Sequence, residues 1–289
     1  MKRILGIAMV LGLVGALSVM AQEVKPEKTE VIDLGKDVKL EMVLIPAGKF
    51  KMGFTEKELA DFKVDFHEAV KKKTQKKELS KEQIDSIDQR MSMQGKQHEV
   101  TLTKPFYLGK YEVTQEQWEG VMGNNPSSTE GAKLPVTNVS WEDCQEFIKK
   151  LNASTKGVYR FRLPYEAEWE HACRAGTTTA YSFGANITPK DANFMDSKIG
   201  KPVLVGSYKP NAFGLYDMHG NVMEWCEDRW REYSADAVTD PKGPATGEDR
   251  VFRGGSSSNY VLDAHSSYRE CVSPTFSVYV RGFRLARTP

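Results

Sequence analysis

The 289-residue sequence lacks an excess of charge of either sign. It contains 40 Lys and Arg residues against 39 Asp and Glu residues, which leaves a formal net charge of +1. A chain so close to neutrality has no overall field that would attract nucleic acid or an acidic membrane surface. The composition therefore argues against a nucleic-acid-binding function, and the length allows one large or two small domains.

Cysteine is scarce, and the common catalytic and metal-binding motifs are missing. Four cysteines are too few for a disulfide scaffold. The sequence has no P-loop, G-x-S-x-G, G-x-G-x-x-G or C-x-x-C motif, and no two of its five histidines have metal-ligand spacing. Cys144 lies on the apolar side of a predicted helix, which predicts a buried and inert thiol. The positions of Cys173, Cys226 and Cys271 would allow one disulfide.

The sequence has one long apolar run, and it lies at the start of the chain. Two basic residues precede this run, residues 4–20, which ends with the small residues Val19 and Ala21. This pattern is typical of a secretory signal peptide, here residues 1–21, so the mature chain would begin at Gln22 and be secreted or periplasmic. The alternative is a membrane anchor, although the run is at the short limit for a span.

Two segments differ in amino-acid composition from the rest of the chain. Residues 22–38 are polar and charged and predict a flexible leader before a domain over residues 39–289. Residues 55–97 hold 19 charged residues among 43, with one Gly and no Pro. Capping boxes at Thr55 and Ser80 predict two helices, so we interpret 55–97 as an inserted helical hairpin. Its charged face is either solvated or a docking surface.

The segment after Gly176 predicts short strands and long loops. Its apolar runs are short and are separated by Gly, Asn, Asp and Ser. Long ordered loops need to be fixed by metal, disulfide or dense hydrogen bonding. Within this segment, Asp217 and Glu224 flank a turn at Gly220, an arrangement of carboxylates and carbonyls that suits calcium. The alternative is a turn whose acidic side chains cap neighbouring backbone.

Seven motifs, in order, resemble those of the sulfatase-modifying factor family, whose founding members are formylglycine-generating enzymes. The resemblance covers residues 42–287 except for the 55–97 insertion. It implies an irregular, loop-rich α/β (α+β) domain of the C-type-lectin-like type. The motifs are MVLIPAGKFKMG (42–53), YEVTQEQW (111–118), PVTNVSWED (135–143), FRLPYEAEWEHACRAG (161–176), NAFGLYDMHGNVMEW (211–225), RVFRGGS (250–256) and GFRL (282–285).

The resemblance argues for the family fold and against the founding activity. Active members oxidise a cysteine in a sulfatase Cys-x-Pro-x-Arg sequence to formylglycine, with a copper-binding cysteine pair shortly after the Arg-x-x-x-Gly-Gly-Ser motif. Here the first thiol position is Asn259, and the second falls near Asp263 or Ala264. Only thiolate sulfur can bind a soft metal in this way and carry thiol exchange. We therefore expect neither copper nor this catalysis.

The resemblance also assigns calcium ligands to this sequence. Active members bind calcium through side chains at the positions of Asp217 and Glu224 and through the carbonyls at Gly220 and Val222. A second family calcium site uses an Asn-x pair that matches Asn193-Phe194. We therefore expect calcium at the first site, and the second lacks an evident later acidic ligand.

Three functions remain compatible with the sequence. The first is an exported, non-catalytic protein that binds a protein, peptide or glycan through its loops. The others are an oxidoreductase acting on protein cysteine and a structural component of the cell envelope. The loop from Ser257 to Tyr279 alternates aromatic residues with small polar ones, as binding surfaces do. Asn259, Tyr260 and Phe276 are the predicted ligand contacts; the alternative is that the aromatic residues are core.

Overall fold

The computed structural model describes residues 28–289, so the predicted signal peptide lies outside the described residues. The helices are α1 (Glu56–Thr74), α2 (Lys81–Ser92), α3 (Gln115–Met122), α4 (Trp141–Ser154) and α5 (Glu166–Arg174). The first six strands are β1 (Thr29–Gly35), β2 (Val38–Ile45), β3 (Gly48–Met52), β4 (His98–Leu102), β5 (Phe106–Gly109) and β6 (Phe161–Arg162). The last six are β7 (Met223–Arg229), β8 (Val238–Thr239), β9 (Arg250–Arg253), β10 (Arg269–Val272), β11 (Arg281–Gly282) and β12 (Ala286–Arg287). The predicted mixture of short helices and short strands is confirmed.

A five-stranded sheet brings the first and last described strands together. Its order is β1-β2-β5-β12-β6, and each neighbouring pair is antiparallel. Strand β1 lies inside the segment 22–38 that we predicted to be a flexible leader, and this prediction was wrong for the strand residues. Ile32 pairs with Leu40, and both side chains are buried, because the alternation of β1 directs one apolar face into the core.

Two smaller sheets complete the fold. One has the order β10-β9-β7-β11, and the other has the order β3-β4-β8. The main core lies between the large sheet and helices α3 and α4, where Trp118 stacks on Phe147 with ring centroids 5.2 Å apart. A second core cluster surrounds α5, whose Trp169 is fully buried.

The inserted segment 55–97 forms two helices that leave and re-enter the domain at one point. The capping boxes predicted at Thr55 and Ser80 are both present. At the base, the Phe54 amide donates to the Gly95 carbonyl and the Gln97 amide donates to the Phe54 carbonyl. The apolar faces of α1 and α2 meet the domain in a third core cluster, which contains Phe62, Phe66, Ile87, Met91 and Tyr268.

Buried ion pairs and hydrogen bonds fix the long loops. All nine residues of α5 are buried, including three glutamates. Arg269 donates to both oxygens of Glu166 at 2.8 Å, and Arg253 contacts Glu170. All four cysteines of the chain are free, so the disulfide that their positions would allow is not formed. No helix within residues 28–289 is long and apolar enough to span a membrane.

Candidate functional site

The loop that follows β9 begins with two glycines that no other residue replaces easily. Gly254 and Gly255 have φ angles of +95° and +66°, a region that glycine occupies without strain. A Cβ atom on Gly255 would lie 2.9 Å from the Ala264 amide nitrogen. The loop therefore folds tightly back on itself and continues into a 3-10 turn, Val261–Ala264.

Arg253, the last residue of β9, fixes the far end of this loop. Its guanidinium donates to the carbonyls of Ser266, Ser267 and Tyr268 at 2.8–2.9 Å. Because the side chain is also paired with buried Glu170, its position is set from two directions. Arg253 thus anchors three consecutive carbonyls of this segment, a role that the sequence motif alone did not reveal.

The two positions where the resemblance places redox thiols carry no sulfur chemistry here. Asn259 is half-buried, and its side chain accepts a hydrogen bond from the Ser256 hydroxyl. Ala264 is fully buried, and Asp263, the other candidate for the second position, is 1% exposed. No side chain at these three positions can bind copper through a thiolate or exchange a disulfide.

The cysteines of the chain are not poised for reaction. Cys144 is fully buried, as its place on the helix predicts. Cys173 Sγ lies 3.7 Å from Ser266 Oγ, and burial raises the pKa of this thiol to about 12. Burial likewise raises the pKa of the half-buried Cys271 to about 11. The thiolate, which is the nucleophile and metal ligand, is therefore a minor form at neutral pH.

The helical hairpin covers part of the loop. The Tyr260 and Phe66 rings contact edge to face with centroids 5.4 Å apart, and Phe62 stacks on Tyr268 at 5.6 Å. Arg90 of α2 is paired with Asp263, at 3.1 Å, and with Glu270. Burial raises the pKa of Asp263 to about 6, and Arg90 acts in the opposite direction.

This covering separates the three predicted ligand contacts. Tyr260 packs into the third core cluster beneath α1, so its ring is not free for a ligand, and we no longer include it in the contact set. Phe276 is 49% exposed, and the neighbouring Tyr279 is 47% exposed. The Tyr279 hydroxyl lies 3.2 Å from Ser258 Oγ, next to the predicted contact Asn259. The exposed part of the predicted surface is therefore the stretch around Phe276 and Tyr279.

Glu224, a predicted calcium ligand, is engaged by protein donors. Arg284 donates to both of its oxygens at 2.6 Å, and Trp169 Nε1 donates to Oε2 at 2.8 Å. All three side chains are buried. A cation bound to Glu224 would therefore share this carboxylate with the Arg284 guanidinium.

The remaining predicted calcium ligands offer oxygen atoms that lack a partner. Asp217 Oδ2 accepts from the Gly206 amide at 2.6 Å, but Asp217 Oδ1 and Asn193 Oδ1 are buried without a hydrogen-bond partner. The Asn193 backbone lies against Gly220, where an added Cβ would come within 2.3 Å of the Asn193 carbonyl oxygen. The two sites that the resemblance implies are therefore adjacent. Phe194 and Val222 are buried there, and the predicted contribution of Val222 is its backbone carbonyl.

Glu112 belongs to the same cluster and was not predicted. It accepts a hydrogen bond from Asn221 at 2.9 Å, while its other oxygen is buried without a partner. Burial and the neighbouring Asp217 raise the pKa of Glu112 well above its ordinary value. Either a proton or a cation would supply the missing partner. Within residues 28–289, no three His, Cys, Asp or Glu side chains converge as metal ligands.

Comparison with known proteins shows the family to which this chain is similar. The sequence profile described as "Sulfatase-modifying factor enzyme 1-like domain" matches residues 30–289. The formylglycine-generating enzyme of Thermomonospora curvata is 34% identical over 195 residues, 60% of this chain and 61% of the enzyme. The chaperone protein LppX of Paenibacillus barcinonensis is 31% identical over 221 residues, 58% of this chain and 75% of that protein.

Solved structures support the same fold. Treponema denticola variable protein 1 superimposes with a TM-score of 0.73 at 28% identity, over 90% of this chain and 99% of that one. The chain spans only about half to three-fifths of the length of the formylglycine-generating enzymes that it matches. Similarity to those enzymes therefore does not by itself carry their activity to this chain.

Proposed function

Because the chain belongs to the sulfatase-modifying factor enzyme 1-like domain family, we propose that it is an exported, non-catalytic member that binds a partner. The partner would be a protein, peptide or glycan outside the cytoplasm. A family relative that is named as a chaperone protein supports a binding role on this fold. Export rests on the signal-peptide pattern of residues 1–21.

The observation that carries this proposal is the chemistry of the loop after β9. Asn259 and Ala264 stand where the resemblance expects two thiols, and the Asp263 alternative is an ion-paired carboxylate. Cys173, whose Sγ contacts Ser266 in this loop, is buried, and its thiol has a raised pKa. A copper-dependent oxidation of cysteine would have no thiolate pair at this position.

The hairpin supports the same conclusion in a second way. It covers Tyr260 and Tyr268 with the rings of Phe66 and Phe62. A long peptide could not lie there unless the hairpin moved away. The exposed Phe276, Tyr279 and the neighbouring Asn259 then form the surface that a partner would contact.

An aldehyde-formation assay tests the absence of catalysis. A synthetic Cys-x-Pro-x-Arg peptide is incubated with the mature protein, copper and oxygen, and the product is measured by mass spectrometry. We expect no aldehyde above a protein-free blank, whereas the Thermomonospora curvata enzyme, run in parallel, should convert the peptide. Aldehyde formed by this protein, and lost in the Cys173→Ser variant, would overturn the proposal.

We also propose a calcium ion as a structural component of the fold. Its ligands would be the unpartnered oxygens of Asp217 and Asn193, with Glu112 as an additional carboxylate. Calcium prefers such a mixture of carboxylate and carbonyl oxygens, and it would neutralise buried negative charge. Glu224 stays a predicted ligand that would share its carboxylate between the cation and Arg284. Calcium supplies no chemistry to a reaction here.

A further inference from the structure

Arg281 differs from the other deeply buried arginines because it has no carboxylate partner. Each of the others, Arg253, Arg269 and Arg284, forms an ion pair with a glutamate. Arg281 is 4% exposed, and its Nε and Nη1 atoms are buried without any hydrogen-bond acceptor within residues 28–289. A buried donor without an acceptor is unfavourable, so this position calls for an explanation.

Aromatic rings surround the Arg281 guanidinium. Its central carbon lies 4.2 Å from the centroid of Phe252, 4.7 Å from Trp225 and 5.3 Å from Phe276. Such rings attract a cation, but they accept no directed hydrogen bond of normal strength. Burial lowers the pKa of Arg281 to about 10, as expected for a cation removed from water without an adjacent anion.

The acidic group with an electrostatic effect on Arg281 is already engaged elsewhere. Glu270 interacts with Arg281 only at a distance, and its carboxylate contacts Arg90 and the Tyr268 hydroxyl. The half-exposed Phe276, whose ring lies 5.3 Å from the central carbon of the guanidinium, is uncharged. Tyr279, two residues before Arg281 in the sequence, is also half-exposed, and its hydroxyl lies 3.2 Å from Ser258 Oγ. The protein thus offers a positive charge under an aromatic surface and supplies no counter-charge.

We propose that Arg281 is an anion-binding residue that accepts the carboxylate of a peptide ligand. A planar guanidinium matches a planar carboxylate with two parallel hydrogen bonds. Phe276 closes the turn that begins at Ser273, and its ring centroid lies 5.3 Å from the guanidinium carbon. In the proposed complex this ring moves aside, so that Phe276 and Tyr279 contact the peptide side chains.

This inference rests on the proposed binding function and names the chemistry of its ligand. The carboxylate could belong to a free carboxyl terminus or to an Asp or Glu side chain, and these two sources share the same recognition. The two aromatic side chains beside Arg281 provide rigid contact area, and the small polar residues around them provide adaptable hydrogen bonds, a combination found in other binding surfaces. Serine and tyrosine hydroxyls at the rim add hydrogen bonds to a peptide backbone.

Nuclear magnetic resonance of the arginine Nε–H groups tests the proposal. Four probes are used. N-acetyl-phenylalanine carries a free terminal carboxylate, and its carboxamide lacks one. N-acetyl-aspartate α-amide carries only a side-chain carboxylate, and glucuronic acid carries the carboxylate of a sugar. We expect the Arg281 resonance, assigned by its loss in Arg281→Met, to shift saturably with one or both peptide carboxylates and not with the carboxamide. The probe that binds more tightly identifies the source of the carboxylate.

Two variants separate binding from a structural role. Arg281→Met should weaken carboxylate binding on the order of tenfold or more, because hydrogen bonds to charged groups are the strong ones. Its melting temperature should be unchanged or higher, because an unpaired buried charge is removed. Arg250→Met is the matched control, since Arg250 also stacks on a tryptophan, 3.7 Å from the Trp141 centroid, and we expect it to bind normally.

Several results would overturn the assignment. They are an unmoved Arg281 resonance, equal carboxylate affinity in Arg281→Met, or a large loss of stability in Arg281→Met without carboxylate binding. The last result would make Arg281 a structural cation–π residue. A response to glucuronic acid alone would make the ligand a sugar acid and not a peptide. Aldehyde formation in the separate Cys-x-Pro-x-Arg assay would refute the proposed non-catalytic function without affecting these readings.

Discussion

Arg90 allows a direct test of how the hairpin is docked on the domain. Its guanidinium is paired with Asp263 and Glu270 and lies over the rings of Phe66 and Tyr268. Asp263 is 1% exposed, and Arg90 is its ion-pair partner. Removing one member of a buried pair leaves an uncompensated charge, which costs about 3–5 kcal/mol. We therefore predict that Arg90→Met is strongly destabilising at neutral pH.

The pH dependence of this loss follows from Asp263. Burial raises its folded-state pKa to about 6, above the ordinary value of about 3.9. A raised acid pKa means that the folded state binds more protons than the unfolded state, so this contribution to stability increases as pH falls from above 6 towards 4. Arg90 lowers the pKa of Asp263, and this effect is lost in Arg90→Met. In that variant, the pH range over which stability increases with falling pH should therefore extend to higher pH.

Thermal unfolding followed by circular dichroism at pH 5 and pH 7.5 measures both effects. For a domain of this size, we expect the melting temperature of Arg90→Met to fall by roughly 6–20 °C at pH 7.5. The loss should be smaller at pH 5. The exposed Arg160→Met is the matched control, and its effect should stay within about 0.5 kcal/mol.

The double variant Arg90→Met/Asp263→Asn completes the test. Asparagine keeps an oxygen that can accept the hydrogen bond from the Tyr260 amide, which is 2.9 Å long, and it carries no charge. It should therefore recover most of the stability lost in Arg90→Met. If the double variant is as unstable as the single one, or if the loss is the same at both pH values, the unpaired charge is not the cause.

Three further predictions concern metal, thiols and export. EDTA should lower the melting temperature of the wild type, because a ligand present at a hundred times its dissociation constant stabilises by about 2.7 kcal/mol. Asp217→Ala, which removes the ligand oxygens, should lose this response, whereas Glu224→Ala should be unstable with or without calcium. Equal melting of metal-free and calcium-loaded wild type would refute the site. In the native protein a thiol reagent should modify Cys271 slowly and Cys173 only after unfolding, as their burial and raised pKa values imply; rapid labelling of Cys173 would contradict this structure. Mass spectrometry of the exported protein should find Gln22 as the first residue, and an intact first residue on exported protein would exclude cleavage.

Features that depend on nearby residues were predictable from the sequence. The capping boxes at Thr55 and Ser80 are complete within four residues each, and both helices start there. The family resemblance carried by the motifs likewise predicted the fold, and three of these motifs contain the starts of α3, α4 and α5. The leader prediction was wrong for β1 because a polar, charged segment can still add a strand when a neighbouring strand, here β2, offers free backbone groups.

Features that depend on distant residues could not be read in this way. Glu166 and Glu170 look like solvent-exposed positions of a charged helix. Their partners, however, lie far along the chain: Arg269 is 103 residues after Glu166, and Arg253 is 83 residues after Glu170. The role of Tyr260 depended on which surface the hairpin covers. The lack of an acidic partner for Arg281 could not be predicted either, because the sequence does not show which side chains surround the arginine in the fold.

The position of β12 has a consequence for when this chain can fold. This strand, residues 286–287, lies between β5 and β6 in the five-stranded sheet, and nearby Arg284 supplies the buried partner of Glu224. A growing polypeptide that has not yet reached these residues lacks both the inner strand and the buried counter-charge. Pairings over such long sequence separations form slowly. The chain should thus stay unfolded during synthesis, which is the state that a translocation channel for unfolded polypeptides requires.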